Sequence, residues 1–162
     1  MPRLLVVHHT PSPALQAVLE AVREGAALVE EVELVVRPAL SAGAADLLAA
    51  DGVLLGTPAN IGYMSGALKH FFDTVYYPCL DATVGLPYGV YVHGNDDTAG
   101  ALTSIGRITG ALRWRQVAAP LSLIGAPDAD ALEASRELAA TVAVSLQPPR
   151  SRGPRAGGAV PA

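Results

Sequence analysis

The sequence predicts a three-layer α/β/α domain built on a five-stranded parallel sheet in the doubly wound order 2-1-3-4-5. Three observations predict it. Short apolar runs alternate five times with stretches of helical periodicity. The runs are continuous rather than alternating, the pattern of strands buried on both faces. The length, 162 residues, suits one domain with one core.

Leu4 to Val7 reads as the first strand, stopped by the polar, Pro-rich segment His8 to Pro13. Ala14 to Gly25 follows as a helix, with Leu15, Val18, Leu19 and Val22 on one face and Gly25 as its C-terminal cap. Val32 to Val36 is the second strand, stopped by Pro38, and Ala44 to Ala50 a short helix. Gly52 to Gly56 is the third strand, with a loop from Thr57 to Tyr63. Met64 to Tyr77 is helical, with Pro78 as its terminator. Tyr88 to His93 is the fourth strand; Gly94 to Thr98 leads into a helix from Ala99 to Leu112. Val117 to Ile124 is the fifth strand, where Pro120 predicts a bulge or a late start. Asp128 caps a last helix running to Leu146. Residues 1–146 therefore form the domain, and the Pro/Gly/Arg-rich segment 147–162 reads as a disordered tail.

Composition narrows the function. Apolar residues make up 51% and charged residues 16%, enough to bury a core. The net charge is -4, and three of the eleven basic residues (Arg150, Arg152, Arg155) fall in the tail, so the body is more acidic still. That argues against a nucleic-acid partner, which needs a concentrated basic face. A small phosphorylated ligand remains open, because backbone N–H groups hold phosphate without basic side chains. One cysteine, Cys79, excludes an internal disulfide and disfavours a Cys-based zinc site. No apolar run has signal-peptide or membrane-spanning length, so no membrane insertion and a cytoplasmic location are expected.

In open α/β sheets ligands sit beyond the carboxyl ends of the strands, at the switch in strand order. The loops after strands one, three and four meet there. In the first, His9, Thr10, Ser12, Pro13, Ala14 and Leu15 lead straight into a helix. Thr10 and Ser12 either turn toward one phosphate or cap that helix, with Pro13 as its first residue. His8, His9 and His93 fall at strand ends near Asp96 and Asp97, but adjacent strand residues point to opposite faces, so no metal site is expected. His9 and His93 serve better as hydrogen-bonding partners of a ligand.

The second loop is the most specific feature. The string Gly56-Thr57-Pro58-Ala59-Asn60-Ile61-Gly62-Tyr63-Met64-Ser65-Gly66-Ala67-Leu68-Lys69-His70-Phe71-Phe72-Asp73 resembles the flavodoxin-like FMN reductases and quinone reductases. The resemblance continues more weakly over residues 3–146. It implies a flavodoxin-like fold and FMN as cofactor, with Pro58, Ala59, Asn60, Ile61, Gly62, Tyr63 and Met64 along the flavin ring. It further implies His93, Gly94, Asn95 and Asp97 on the flavin's other side, although Asp97 or Thr98 equally suits a helix cap. The family's first loop is typically Ser/Thr-x-Thr/Ser-Gly-x-Thr. Here Thr10, Ser12 and Ala14 keep the spacing, Pro13 replaces the Gly and Leu15 the last Thr, so one hydroxyl is lost.

The activity implied is NAD(P)H-dependent reduction of a quinone, flavin or similar small acceptor, with NADH or NADPH as donor and no obligatory catalytic side chain. A flavodoxin-type electron carrier serving a redox protein is the alternative; the third loop lacks the aromatic that such carriers usually place there. A flavin-free binding module is a further alternative. Relatives of this kind often self-associate, and Phe71 to Leu80 is either a homo-oligomer contact or core.

Overall fold

The computed structural model describes residues 1–146; the segment read as a tail lies outside the described residues. The elements run β1 (Arg3–His8), α1 (Pro13–Ala27), β2 (Glu33–Pro38), α2 (Ala44–Leu48), β3 (Gly52–Asn60), β4 (Tyr63–Met64) and α3 (Gly66–Cys79). They continue with β5 (Pro87–Gly94), α4 (Ala99–Ala111), β6 (Arg115–Gln116), β7 (Leu121–Ile124) and α5 (Ala129–Ser145).

The main sheet is parallel, in the order β2-β1-β3-β5, and β6 and β7 both pair with the outer side of β5. This is the expected 2-1-3-4-5 order, except that the fifth position is shared by β6, which precedes the expected Val117 to Ile124 strand, and β7, which keeps only its last four residues. The break between them falls where the Val117 N–H still donates to the Tyr88 carbonyl at 3.0 Å and Pro120, just ahead of β7, has no N–H to give.

Successive strand residues feed opposite layers. Leu5, Val7, Val53, Leu55, Val90 and Val92 pack with α3 and α4; Leu4, Val6, Leu54 and Tyr91 pack with α1 and α5. Phe71, Phe72, Val75 and Cys79 belong to the first of these cores, so the apolar face of the Phe71 to Leu80 segment is spent internally, and Tyr77 is what it leaves exposed. Burial pushes the Cys79 thiol pKa up, which makes it a poor nucleophile.

Two expectations are corrected. Pro78 does not end α3, which runs on to Cys79. In the last turn a proline costs one hydrogen bond while its fixed φ still suits the helix. The segment from Thr57 is not all loop: β3 continues to Asn60, and β4 folds back on it antiparallel, pairing Ala59 with Met64 and Asn60 with Tyr63. Pro58 is tolerated because β1 stops pairing at Gly56. Beyond that residue β3 keeps β5 on one side as far as Pro58, and β4 pairs only with Ala59 and Asn60, so no strand partner requires an N–H from Pro58. The helix after this hairpin therefore starts at Gly66, capped by Ser65, whose Oγ accepts from the Leu68 N–H at 3.2 Å.

Candidate functional site

The turn between β1 and α1 is bonded within itself. Ser12 caps α1, its Oγ accepting from the Leu15 N–H at 3.2 Å, and Pro13 opens the helix. Thr10 Oγ1 lies 2.7 Å from His8 Nδ1. The turn offers an anion the Ser12 hydroxyl proton and the N–H groups of Ser12 and Ala14, which donate to no acceptor among the described residues. These donors sit at the start of a fifteen-residue helix, where the backbone dipole favours negative charge.

The β3–β4 hairpin has a two-residue tip, Ile61 and Gly62, with φ of 49° and 70°. Positive φ at both positions is the type I′ pattern, which fits the twist of a hairpin. Glycine adopts it freely; a β-branched isoleucine does so under strain. Ile61 is also fully exposed. The base of the hairpin is fixed by buried groups. Thr57 Oγ1 donates to the Pro58 carbonyl at 2.8 Å and accepts from the Ser65 N–H at 3.0 Å, and Ser104 Oγ accepts from the Met64 N–H at 3.4 Å. The tip rests on α4: a side chain at Gly100 would run into the Gly62 carbonyl.

The third turn follows β5. Asp97 Oδ1 accepts from the N–H of Ala99, the first residue of α4, at 2.8 Å, while Thr98, at the N-cap position, is buried and bonded to the Ser122 hydroxyl. His93 is buried, and its Nε2 lies 2.7 Å from the Gly125 carbonyl. A carbonyl only accepts, so Nε2 carries a proton, and in the neutral ring Nδ1 is the acceptor. Gly94 lies close under Ala59, which brings this turn against the hairpin.

The three turns enclose one cavity of about 310 Å³. Ser12, Pro13 and Ala14, with Pro11, form its first wall; Pro58, Ala59 and Asn60 the second; His93, Gly94 and Asn95 the third. A cavity of the same size, about 310 Å³, shares Ala59 and Asn95 with it and extends to Ile61, Gly62 and Asp97. The structure thus brings together most of the residues that the sequence selected. It separates five. His9 and Thr10 line a neighbouring cavity of about 300 Å³ against Pro38 and Leu40, where His9 Nδ1 is buried without a partner. Leu15 and Met64 are buried in the core. Tyr63 lines a fourth cavity on the α3–α4 side of the hairpin. Thr57 and Ser104, which hold the hairpin, were not selected; the Thr-Pro pair after an apolar run was the signal for Thr57, and nothing local pointed to Ser104. Among the described residues no cluster of three or more His, Cys, Asp or Glu could hold a metal ion.

Sheet order, layers and the position of the three-turn cavity define a flavodoxin-like α/β/α domain. Over 89% of this chain and 98% of theirs, the coordinates match a flavodoxin from the domain Archaea with a TM-score of 0.78 at 16% identity. A WrbA-like flavodoxin from Agrobacterium tumefaciens matches with a TM-score of 0.72 at 22% identity, over 90% of this chain and 98% of that one. In sequence, 75 residues are 36% identical to a flavodoxin of Aquifex aeolicus (strain VF5), a stretch spanning 46% of this chain and 40% of that protein. No family model matches the chain.

Proposed function

We propose that the chain binds one FMN across the three-turn cavity and works as an NAD(P)H-dependent oxidoreductase toward a quinone, flavin or similar small acceptor. The observation that carries the reading is the meeting of two unlike surfaces in two adjoining cavities that share Ala59 and Asn95. Free N–H groups at the start of α1 suit a phosphate dianion. The exposed backbone and apolar side chains of the hairpin suit a flat, polar-edged ring.

FMN bound there supplies the hydride and electron chemistry. The protein's part is positional. Ser12 and Ala14 fix the phosphate through N–H groups and one hydroxyl. The Ile61 and Gly62 N–H groups have no acceptor among the described residues and belong to residues lining the second cavity, where they would favour negative charge on the ring system. His93 holds an acceptor nitrogen at the wall, its tautomer set by Gly125. Asp97 keeps the start of α4, and with it the third wall, in place.

The reductase reading is favoured over a pure carrier by one feature: no Phe, Tyr or Trp lines either part of the cavity. Tyr63, the aromatic nearest in sequence, serves a different cavity. An uncovered ring face leaves room for donor and acceptor to alternate. Purified protein reconstituted with FMN is expected to show the flavin absorption bands and to oxidise NADH or NADPH steadily when a benzoquinone is present. Bound flavin without turnover would turn the reading to the carrier; protein that takes up no FMN would sink both.

A further inference from the structure

A cavity of about 480 Å³ lies on the other side of the hairpin from the three-turn site. The hairpin is the partition: Ile61 and Gly62 face one space and Tyr63 the other. Lys69 of α3 and Arg107 of α4 line this cavity, with the Tyr63 ring, Ile108 and the Thr103 hydroxyl between them.

Its charge is out of character with the chain. The protein is net -4, yet two cations face one opening. Asp73 answers Lys69 alone, its Oδ1 2.6 Å from Lys69 Nζ. Arg107 has no ion pair and no hydrogen bond among the described residues, and α4 itself, Ala99–Ala111, carries no acidic residue. Asp96 and Asp97, which precede α4, line the space beyond the hairpin instead. Thr103 and Tyr63 add two hydroxyl-bearing side chains to the lining, neither bonded to an acceptor among the described residues. An unpaired guanidinium, two hydroxyls and an aromatic–aliphatic wall around one hollow make a recognition surface with two halves.

We infer that this cavity is a binding site for a small organic anion, its head held by Arg107 and Lys69 and its apolar body against Tyr63 and Ile108. Carboxylate and phosphate heads share the chemistry that a guanidinium recognises. The site is independent of the FMN reading, since none of these side chains lines the three-turn cavity.

The test is calorimetric titration of the full chain with benzoate, phenyl phosphate and uncharged benzamide, followed by amide chemical-shift mapping. One of the two anions is expected to bind one-to-one, and which of them does so identifies the head group. Shifts are expected at Gly100, Thr103 and Arg107, with benzamide silent. Arg107→Gln is expected to weaken the anion at least tenfold, and Arg107→Lys to restore part of the loss. Arg107 is exposed, so both variants are expected to fold as the parent does. No heat from either anion at millimolar concentration, equal binding of benzamide, or equal affinity in Arg107→Gln would each overturn the inference. Because the readout needs no flavin, its failure is separable from failure of the FMN reading.

Discussion

In the β1–α1 turn both hydroxyls, Thr10 and Ser12, have partners within the protein, whereas the β3–β4 hairpin ends in an exposed isoleucine on left-handed backbone. The first turn is organised before any ligand arrives, so its free N–H groups are already aimed. The hairpin has its strength at the base, in the Thr57 and Ser104 hydrogen bonds, and its strain at the tip. Backbone strain persists where the surroundings over-determine it, and such places are commonly functional. A rigid anion anchor opposite a tensioned apolar edge is what a ligand with a phosphate at one end and a flat ring at the other requires.

The comparison breaks most readily at the support of the hairpin. Gly100→Ala drives a methyl group into the Gly62 carbonyl and is expected to cost about 2 kcal/mol, the range for overpacking. A urea melt and an FMN titration check it: the midpoint falls and FMN affinity drops at least tenfold. Unchanged affinity would mean that the hairpin does not frame the flavin. Ser12→Ala removes the cap and is expected to cost about 1 kcal/mol, with Ser12→Gly costing a few tenths. Equal losses in the two variants would show that Ser12 does something other than capping in the folded chain.

The third prediction has the opposite sign. Ile61→Asn places the residue preferred in a type I′ turn before Gly62 and is expected to raise stability by a little under 1 kcal/mol. A thermal melt that falls would show that the tip is not strained. The smallest effect concerns His8, at the base of the first turn. Burial, aided by the charges of Arg23 and His9, holds its pKa below the ordinary histidine value. The unfolded chain therefore takes up the proton first as pH falls through 6.5, and stability is lost with falling pH between that value and the lower folded pKa. Urea midpoints measured from pH 5 to 7.5 should slope in that sense, and His8→Asn should flatten the slope.

The contrast between the two turns also explains what was legible in the sequence. Continuous apolar runs and 3-4 spacing located every helix and the strands of the main sheet except the exposed two-residue β6, because double-sided burial leaves that signature. The first turn was legible with both of its readings, cap and anion site, because a capping serine and an anion-binding serine have the same neighbours in the chain. The hairpin was not legible as a hairpin: Ile-Gly is a poor type I′ signal, and Pro58 argues against a strand unless one knows that β1 has already ended beside Gly56. Once that turn was read as a loop, the side on which Tyr63 lies was beyond reach, since only strand pairing sets it. The five-way separation of His9, Thr10, Leu15, Tyr63 and Met64 from the cavity follows from the same gap: sequence proximity to a binding turn does not say which face a residue takes.

The most direct test is to titrate the flavin-free protein with FMN and, separately, with riboflavin, following flavin fluorescence. With the dianion held at Ser12 and Ala14 and the ring along the hairpin, FMN should bind one-to-one and at least a hundredfold more tightly than riboflavin. Equal affinity for the two, or no quenching by FMN at all, would contradict the account.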